Sequence, residues 1–165
     1  MGNQAKFIAD GMLGKIARWL RLMGYDVEYS KDISDNHLID RARSSNRVLL
    51  TKDFELYRRA RLKGVQAVYL RGSCLEEDLA QLARLNYITL KVDLKRTRCP
   101  LCNGSLREIG RFEAAKYVSP EIVEVHERFW ICSKCGKVYW IGKHWISIQE
   151  RLHEARKLLS SSNSR

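Results

Sequence analysis

A repeat of apolar runs about twenty residues apart limits the folds open to this chain more than any other feature. The runs begin near residues 7, 27, 48, 66 and 88. Segments with apolar residues at helical spacing lie between them. Strands and helices that alternate in this way are typical of βαβ units with right-handed crossovers. The pattern predicts an α/β fold, a doubly wound parallel sheet with helices on both faces, and a fifth strand over Tyr87–Val92.

The size and composition of the chain favour a soluble protein. Its 165 residues, 45% of them hydrophobic, suffice for one domain of about 100 residues plus a small appendage. No apolar run is long enough to cross a bilayer, and the first residues do not form a signal peptide. We therefore expect a cytoplasmic protein without a membrane partner.

The chain is strongly basic, with 30 Lys and Arg against 19 Asp and Glu, which gives a net charge of +11. The excess is spread over both halves of the sequence. A basic surface attracts polyanions such as nucleic acid. On charge alone, a soluble protein that is simply basic explains the composition equally well.

Two CxxC pairs give the most specific chemical signal. They are Cys99 with Cys102 and Cys132 with Cys135, each followed closely by glycine. Four thiolates suit tetrahedral zinc, and the 29 residues between the pairs leave room for the hairpin of a zinc ribbon. A closed set of four sulfurs indicates a structural metal. The alternative is a redox CxxC, which needs a helix start after each pair, and the fifth cysteine, Cys74, is interpreted as a packed residue.

The character of the sequence changes near Cys99, which predicts a domain boundary. The predicted parts are an α/β domain over 1–95, a zinc ribbon over 96–148, and a C-terminal helix with a polar tail over 149–165. Within them, strands are expected over 105–111, 123–131 and 137–140, a helix over 146–159, and a mobile tail over 160–165.

Carboxylates follow two of the predicted strands. Asp10 ends the first strand and Asp53 the third, and carboxyl ends of parallel strands meet at one edge of a sheet. Asp35 opens the second helix and could reach the same edge. Each has a local alternative: Asp35 or Ser34 as a helix cap, Asp53 as a cap, and Asp10 as a turn residue.

A cluster of carboxylates at this edge would suit a divalent cation. Hard oxygen ligands select magnesium or manganese, and such ions activate water for attack on a phosphodiester. Thr51 stands two residues before Asp53, and its hydroxyl could orient a carboxylate or a water. An ordinary threonine at a strand end is the alternative.

Several stretches resemble one known family. They are Phe7–Gly14, Ala17–Arg21, Gly24–Asp26, Leu50–Asp53, Arg98–Gly104 and Cys135–Trp140, with Gly142 and His144–Trp145. With these motifs the sequence resembles the RNase-like domain at the C-terminus of the mut-seven exonuclease, a PIN-fold domain fused to a zinc ribbon. The resemblance covers nearly the whole chain. It implies a PIN-like α/β fold and a magnesium- or manganese-dependent ribonuclease that acts on RNA.

The resemblance also implies site residues. Asp10 and Asp53 match the acids of the first and third strands, and Asp35 matches the acid at the start of the second helix. After the fourth strand the sequence reads Arg71–Cys74, without an acid, and acids return only at 76–78. Either one of those three completes the site, or the site has three acids.

Basic and aromatic residues complete the predicted site. The expected RNA contacts are Arg18, Arg21, Lys52, Lys137 and Lys143. Arg21 could instead pair with a local acid. The ribbon also contains four aromatic residues that either stack on bases or fill its small core. They are Trp130, Tyr139, Trp140 and Trp145. His126 and His144 are not expected to bind zinc, because four cysteines already complete its coordination.

The sequence is also compatible with two other functions. The missing fourth acid suggests an RNA-binding module with a degenerate catalytic site. A zinc ribbon could also bind a protein partner, which would make the chain an interaction module. The sequence leaves open whether two chains form a homodimer.

Overall fold

Four parallel strands form the central sheet in a computed structural model that describes residues 4–161. They are β1 (Phe7–Ala9), β2 (Val27–Tyr29), β3 (Val48–Thr51) and β4 (Ala67–Tyr69), in the spatial order β2-β1-β3-β4. From β1 the chain moves to one side of the sheet and then crosses to the other. The switch in direction lies between β1 and β3, where open α/β sheets place ligands beyond the carboxyl ends of their strands.

Helices cover both faces of this sheet. They are α1 (Gly14–Leu22, after a 3-10 turn over Gly11–Leu13), α2 (Asp35–Ser44), α3 (Phe54–Leu62) and α4 (Leu75–Arg84). Because side chains alternate along a strand, Phe7 packs with α1 and α4 while Ile8 packs with α2 and α3. The structure confirms the doubly wound α/β architecture.

The predicted fifth strand is wrong. Tyr87–Val92 is irregular and pairs with none of the four strands. Ile88 and Leu90 are nonetheless buried in the core, and the N–H of Thr89 donates to the hydroxyl of Tyr25 at 2.8 Å. The alternation of apolar and polar residues therefore reflects an extended segment that packs on the core without joining the sheet.

The segment after the first cysteine pair forms a small antiparallel sheet. Its strands are β5 (Leu106–Ile109), β6 (Phe129–Cys132) and β7 (Val138–Trp140), with α5 (Arg111–Ala114) and α6 (Pro120–Val125) between the first two. The strand expected over 123–131 is correct only for its last three residues, 129–131. Its first three residues lie in a helix that begins at Pro120, a residue whose fixed φ suits the first helical position.

The chain ends in its longest described helix, α7 (His144–Ser161), where a helix over 146–159 was expected. Leu152 and Ala155 are fully buried and belong to the same core as α1 and α4. The chain thus returns to the first core after making the small sheet. Most of the predicted mobile tail, 162–165, lies outside the described residues.

None of the helices within residues 4–161 combines the length and the apolar character that a membrane span requires.

Candidate metal centre and candidate active site

The four cysteines of the CxxC pairs come together in one cluster. The sulfur atoms of Cys99 and Cys135 lie 3.7 Å apart, those of Cys102 and Cys132 lie 3.4 Å apart, and all four lie within 4.8 Å of one another. These distances are too long for a disulfide bond. Tetrahedral zinc with bonds of about 2.3 Å places its sulfurs about 3.8 Å apart. The cluster could therefore bind zinc, as its sequence spacing predicts.

Backbone geometry brings the sulfurs close. A Cβ at Gly104 would lie 2.7 Å from the sulfur of Cys132, so a larger residue would push the two loops apart. Gly136 adopts a φ of +73°, in the left-handed region that favours glycine. The N–H groups of Lys134 and Cys135 donate to the Cys132 sulfur at 3.4 Å each. The second loop is thus shaped around the sulfur of Cys132.

The thiols influence one another's ionisation. Burial and the neighbouring thiols raise the pKa of Cys102 to about 12. Burial also acts to raise the pKa of Cys99, but the Tyr139 hydroxyl, 3.1 Å away, and two backbone N–H groups lower it to about 7. Four thiolates in this space need a cation to offset their mutual repulsion. The donor set and its electrostatics therefore fit zinc.

Arg21 attaches the first cysteine loop to the sheet. Its side chain is only 4% exposed, and burial lowers its pKa. Nη1 donates to the carbonyls of Pro100 and Leu101 at 3.0 and 3.1 Å, while Nε and Nη2 donate to the carbonyl of Val27 at 3.0 and 2.9 Å. These bonds give Arg21 a structural role within the fold, and its RNA contact stays a prediction. Its partners are carbonyls and not the local acid considered above.

Asn103 adds a second attachment beside Arg21. Its Oδ1 accepts from the N–H of Val27 at 3.1 Å, and its Nδ2 donates to Oδ1 of Asp26 at 2.7 Å. Arg47 donates to the same Asp26 carboxylate at 2.9 Å. These bonds outweigh the effect of burial and hold the pKa of Asp26 below its usual value. The first cysteine loop is therefore fixed on β2.

Asp10 and Asp53 lie on either side of a buried threonine. Asp10 follows β1, and its N–H donates to the carbonyl of Leu50 in β3 at 3.0 Å. Thr51 is fully buried, and its hydroxyl donates to Oδ2 of Asp10 at 2.8 Å. The hydroxyl oxygen of Thr51 in turn accepts from the backbone N–H of Asp53 at 2.9 Å. One threonine thus links the two aspartates at the switch point of the sheet.

The Asp53 side chain also caps α3. Its Oδ1 accepts from the N–H groups of Glu55 and Leu56 at 2.8 and 3.1 Å. Within residues 4–161, neither Oδ2 of Asp53 nor Oδ1 of Asp10 has a hydrogen-bond partner. Two anchored carboxylates therefore each keep one oxygen available, and such hard donors suit a magnesium or manganese ion.

Asp35 is held apart from this pair. It is the first residue of α2, whose cap is Ser34, and its Oδ2 accepts from Nη1 of Arg59 at 3.2 Å. Among the described residues, the cysteine cluster alone brings three or more His, Cys, Asp or Glu ligand atoms within 4.8 Å of one another. The structure thus links Asp10 with Asp53 and leaves Asp35 in an ion pair.

Asp78 forms a buried ion pair that sequence reasoning missed. Its side chain is 3% exposed, and its Oδ2 lies 2.8 Å from Nζ of Lys52. Oδ1 accepts from the N–H of Gly72 at 2.9 Å. Burial raises the pKa of Asp78 above its usual value, although Lys52 opposes this effect. Lys52, an expected RNA contact, is therefore engaged with a carboxylate.

The two acids before Asp78 also have partners. Glu77 accepts from the N–H of Ser73 at 2.6 Å, and this bond lowers its pKa. Glu76 accepts from Arg151 of α7 at 2.5 Å. The contact of Glu77 with Ser73 is local to the start of α4, whereas that of Glu76 joins residues 75 apart in the sequence and leaves no sequence signal.

The remaining predicted RNA contacts lie on the surface, where Arg18, Lys137 and Lys143 are exposed. The ribbon aromatics instead pack largely inside. Trp130 is 6% exposed beneath Arg128, and Trp140 contacts Phe129. This arrangement favours the core interpretation for these two rings.

A match to a protein-family model assigns this chain to a family. The family model described as Mut7-C RNAse domain matches residues 5–152, and its description indicates a ribonuclease-like function. No curated protein and no solved structure matches the chain significantly. The matched stretch runs from the start of the sheet into α7 and contains both the linked aspartates and the cysteine cluster. Since it covers far more than half of the chain, this protein belongs to the Mut7-C RNAse domain family.

Proposed function

We propose that this protein is a metal-dependent ribonuclease that hydrolyses phosphodiester bonds of RNA. The observation that carries the proposal is the Asp10–Thr51–Asp53 connection at the switch point of the sheet. Family membership supports the same reaction class. Asp10 and Asp53 would hold a magnesium or manganese ion through the oxygens that have no protein partner.

The protein's own groups orient these ligands. Thr51 holds Oδ2 of Asp10, and the first N–H groups of α3 hold Oδ1 of Asp53, so both carboxylates are fixed before substrate binds. When bound, a divalent ion lowers the pKa of an attacking water and offsets charge that develops on the phosphate. Asp35 is a candidate third ligand, and its ion pair with Arg59 would have to break for that role.

The zinc ribbon has a supporting role in this proposal. Four thiolates close the coordination of zinc, so the ion maintains structure and does not take part in hydrolysis. Exposed Arg18, Lys137 and Lys143 offer positive charge to RNA phosphates. The ribbon would therefore help to position the substrate.

Substitution of the linked aspartates tests the proposal. Asp10→Asn and Asp53→Asn should each lower cleavage of labelled RNA in magnesium or manganese by about 100-fold or more, exceeding typical losses from outer contacts. Asn accepts hydrogen bonds as Asp does and is an equally good cap, so unfolding free energy should change by less than about 1 kcal/mol. Exposed Asp40 of α2 provides the control Asp40→Asn. Normal cleavage by both site variants would refute the proposal.

An RNA-binding module without cleavage is the second candidate. The observation that favours it is that Asp35 and Asp78 are paired with Arg59 and Lys52, so in the part of the chain that the structure describes no third acid joins Asp10 and Asp53. Under this alternative, the protein retains RNA on a filter but leaves it intact with both magnesium and manganese. Cleavage lost in Asp10→Asn excludes it.

A further inference from the structure

A groove runs along the outer edge of β4, apart from the contacts that link Asp10 and Asp53. It has a volume of about 790 Å³ and lies between α3 and α4. Its aromatic and basic lining consists of Tyr57, Arg61, Tyr69, Arg71, Arg84 and Tyr87. The groove therefore combines rings and guanidinium groups, the two side-chain types that bind bases and phosphates of single strands.

The rings form a connected surface that leads toward the aspartates. The ring centroids of Tyr57 and Tyr69 lie 6.0 Å apart, and that of Phe54 lies 5.5 Å from Tyr69. Phe54 is 53% exposed and directly follows Asp53 in the chain. Tyr69 ends β4 and is aligned with Thr51. The aromatic surface thus begins beside the proposed catalytic residues.

The charge of the groove is predominantly positive. Within the described part of the chain, no carboxylate forms an ion pair with Arg61 or Arg71, and the guanidinium of Arg71 lies 5.8 Å from the centre of the Tyr69 ring. Glu77 is the acid in the lining, and Ser73 already donates two hydrogen bonds to it. A polyanion therefore finds unneutralised positive charge here.

The strand edge itself is already occupied. Nε2 of Gln81 donates to the carbonyl of Tyr69 at 2.8 Å, and its Oε1 accepts from the N–H of Arg71 at 3.0 Å. These bonds satisfy backbone groups that an added peptide strand would need. Side chains, and not the strand edge, determine what the groove binds.

We propose that this groove binds single-stranded RNA, with bases against Phe54, Tyr57 and Tyr69 and phosphates against Arg61 and Arg71. This inference rests on the proposed ribonuclease function, because it names the path by which the substrate reaches Asp10. Unpaired bases stack on aromatic rings without sequence preference. The groove therefore selects single strands over duplexes.

Charge reversal in the groove tests the proposal by binding alone. The variant Arg61→Glu/Arg71→Glu is compared with Lys91→Glu/Lys116→Glu, which changes the net charge equally at exposed positions elsewhere. Anisotropy of a labelled single-stranded RNA of about ten nucleotides is measured without added magnesium or manganese. The groove variant should bind at least about tenfold more weakly and the control less than about threefold. The slope of log K against log salt concentration should become about 1.4 less steep in the groove variant, since two phosphate contacts are lost and each contributes about 0.7.

A second pair of variants tests stacking. Phe54→Ala should weaken binding about fivefold or more, whereas Phe112→Ala, a 96% exposed ring on α5, should not. Equal losses in both charge-reversal variants, or displacement of RNA by duplex RNA or polyglutamate as readily as by single strands, would overturn the proposal. Normal cleavage with normal binding in the groove variant refutes only this inference. Groove-dependent binding without any cleavage refutes only the catalytic function.

Discussion

The cysteine cluster and the acidic edge of the sheet, formed by Asp10, Asp35 and Asp53, both offer side chains of types that bind metals, but the two sets are arranged differently. Four sulfurs from two loops lie within 4.8 Å of one another, and backbone N–H groups point at them. At the acidic edge, each carboxylate is held by the protein itself: Asp10 by Thr51, Asp53 by α3, and Asp35 by Arg59. The four thiols converge on one point, whereas each carboxylate is held by a different partner within the protein.

This difference in arrangement indicates that metal binding would be coupled to folding at the cysteine cluster but not at the aspartates. Clustered thiols repel one another when ionised, so a zinc ion bound to them would contribute its binding free energy to folding. The aspartates are stabilised by hydrogen bonds that need no ion. We therefore expect removal of zinc to unfold the small sheet and removal of magnesium to leave the fold intact.

Loss of one thiolate should have the largest effect on stability. Cys132→Ser should abolish stoichiometric zinc by elemental analysis and disorder the small sheet, because structural zinc contributes on the order of 10 kcal/mol. The loss is visible as a weaker near-ultraviolet circular dichroism signal from Trp130. Cys74→Ser, at an exposed cysteine outside the cluster, should keep both zinc and signal. Full zinc content in Cys132→Ser would show that the two regions do not differ in this way.

Arg21 connects the two regions, and its removal should have the next largest effect. Arg21→Met removes the donor to the buried carbonyl of Val27 and to the partly buried carbonyls of Pro100 and Leu101, which should lower the free energy of unfolding by about 2–4 kcal/mol. Urea denaturation measures this loss. Arg18→Met, three residues earlier on the exposed face of α1, should change it by less than about 0.5 kcal/mol. Equal stability of the two variants would contradict the structural role of Arg21.

The smallest effect concerns Asp78 and depends on pH. Burial raises its pKa above 3.8, so the folded state binds the proton more tightly than the unfolded chain. Its contribution to stability is therefore complete below pH 3.8 and is lost as pH rises through the folded pKa. The unfolding free energy of wild type minus that of Asp78→Asn should therefore fall from acidic to neutral pH, by less than about 2 kcal/mol. Urea titrations of both proteins at several pH values measure it, and a difference that grows with pH would contradict the raised pKa.

Local patterns predicted most of the fold. The spacing of apolar runs gave the parallel sheet, and the two CxxC pairs gave the cysteine cluster, because both features depend on short-range order. Tyr87–Val92 was misassigned because Ile88 and Leu90 alternate with polar residues for packing reasons alone. Alternation of apolar and polar residues shows only that every second side chain is buried. A strand also requires a neighbouring strand with free backbone groups.

The candidate site residues are less predictable. Asp10 and Asp53 are candidates because they follow buried strands, Thr51 ends one of these strands, and the contact of the three residues follows from parallel register. The role of Arg21 depends on carbonyls of the first cysteine loop, which lies about eighty residues further along the chain. The Lys52–Asp78 pair likewise joins the end of β3 to the first turn of α4, which only the folded chain brings together. Such long-range polar contacts leave no periodic signal in a sequence.

The return of α7 to the first core affects how the protein is made. Leu152 and Ala155 cover apolar surface of α1 and α4, yet a ribosome synthesises them only after both cysteine loops. An emerging chain therefore carries an uncovered apolar face while the ribbon is formed, and such surfaces promote aggregation. Rapid capture of zinc would shorten this interval. Zinc supply during translation should thus affect the yield of a protein whose proposed reaction uses a different metal.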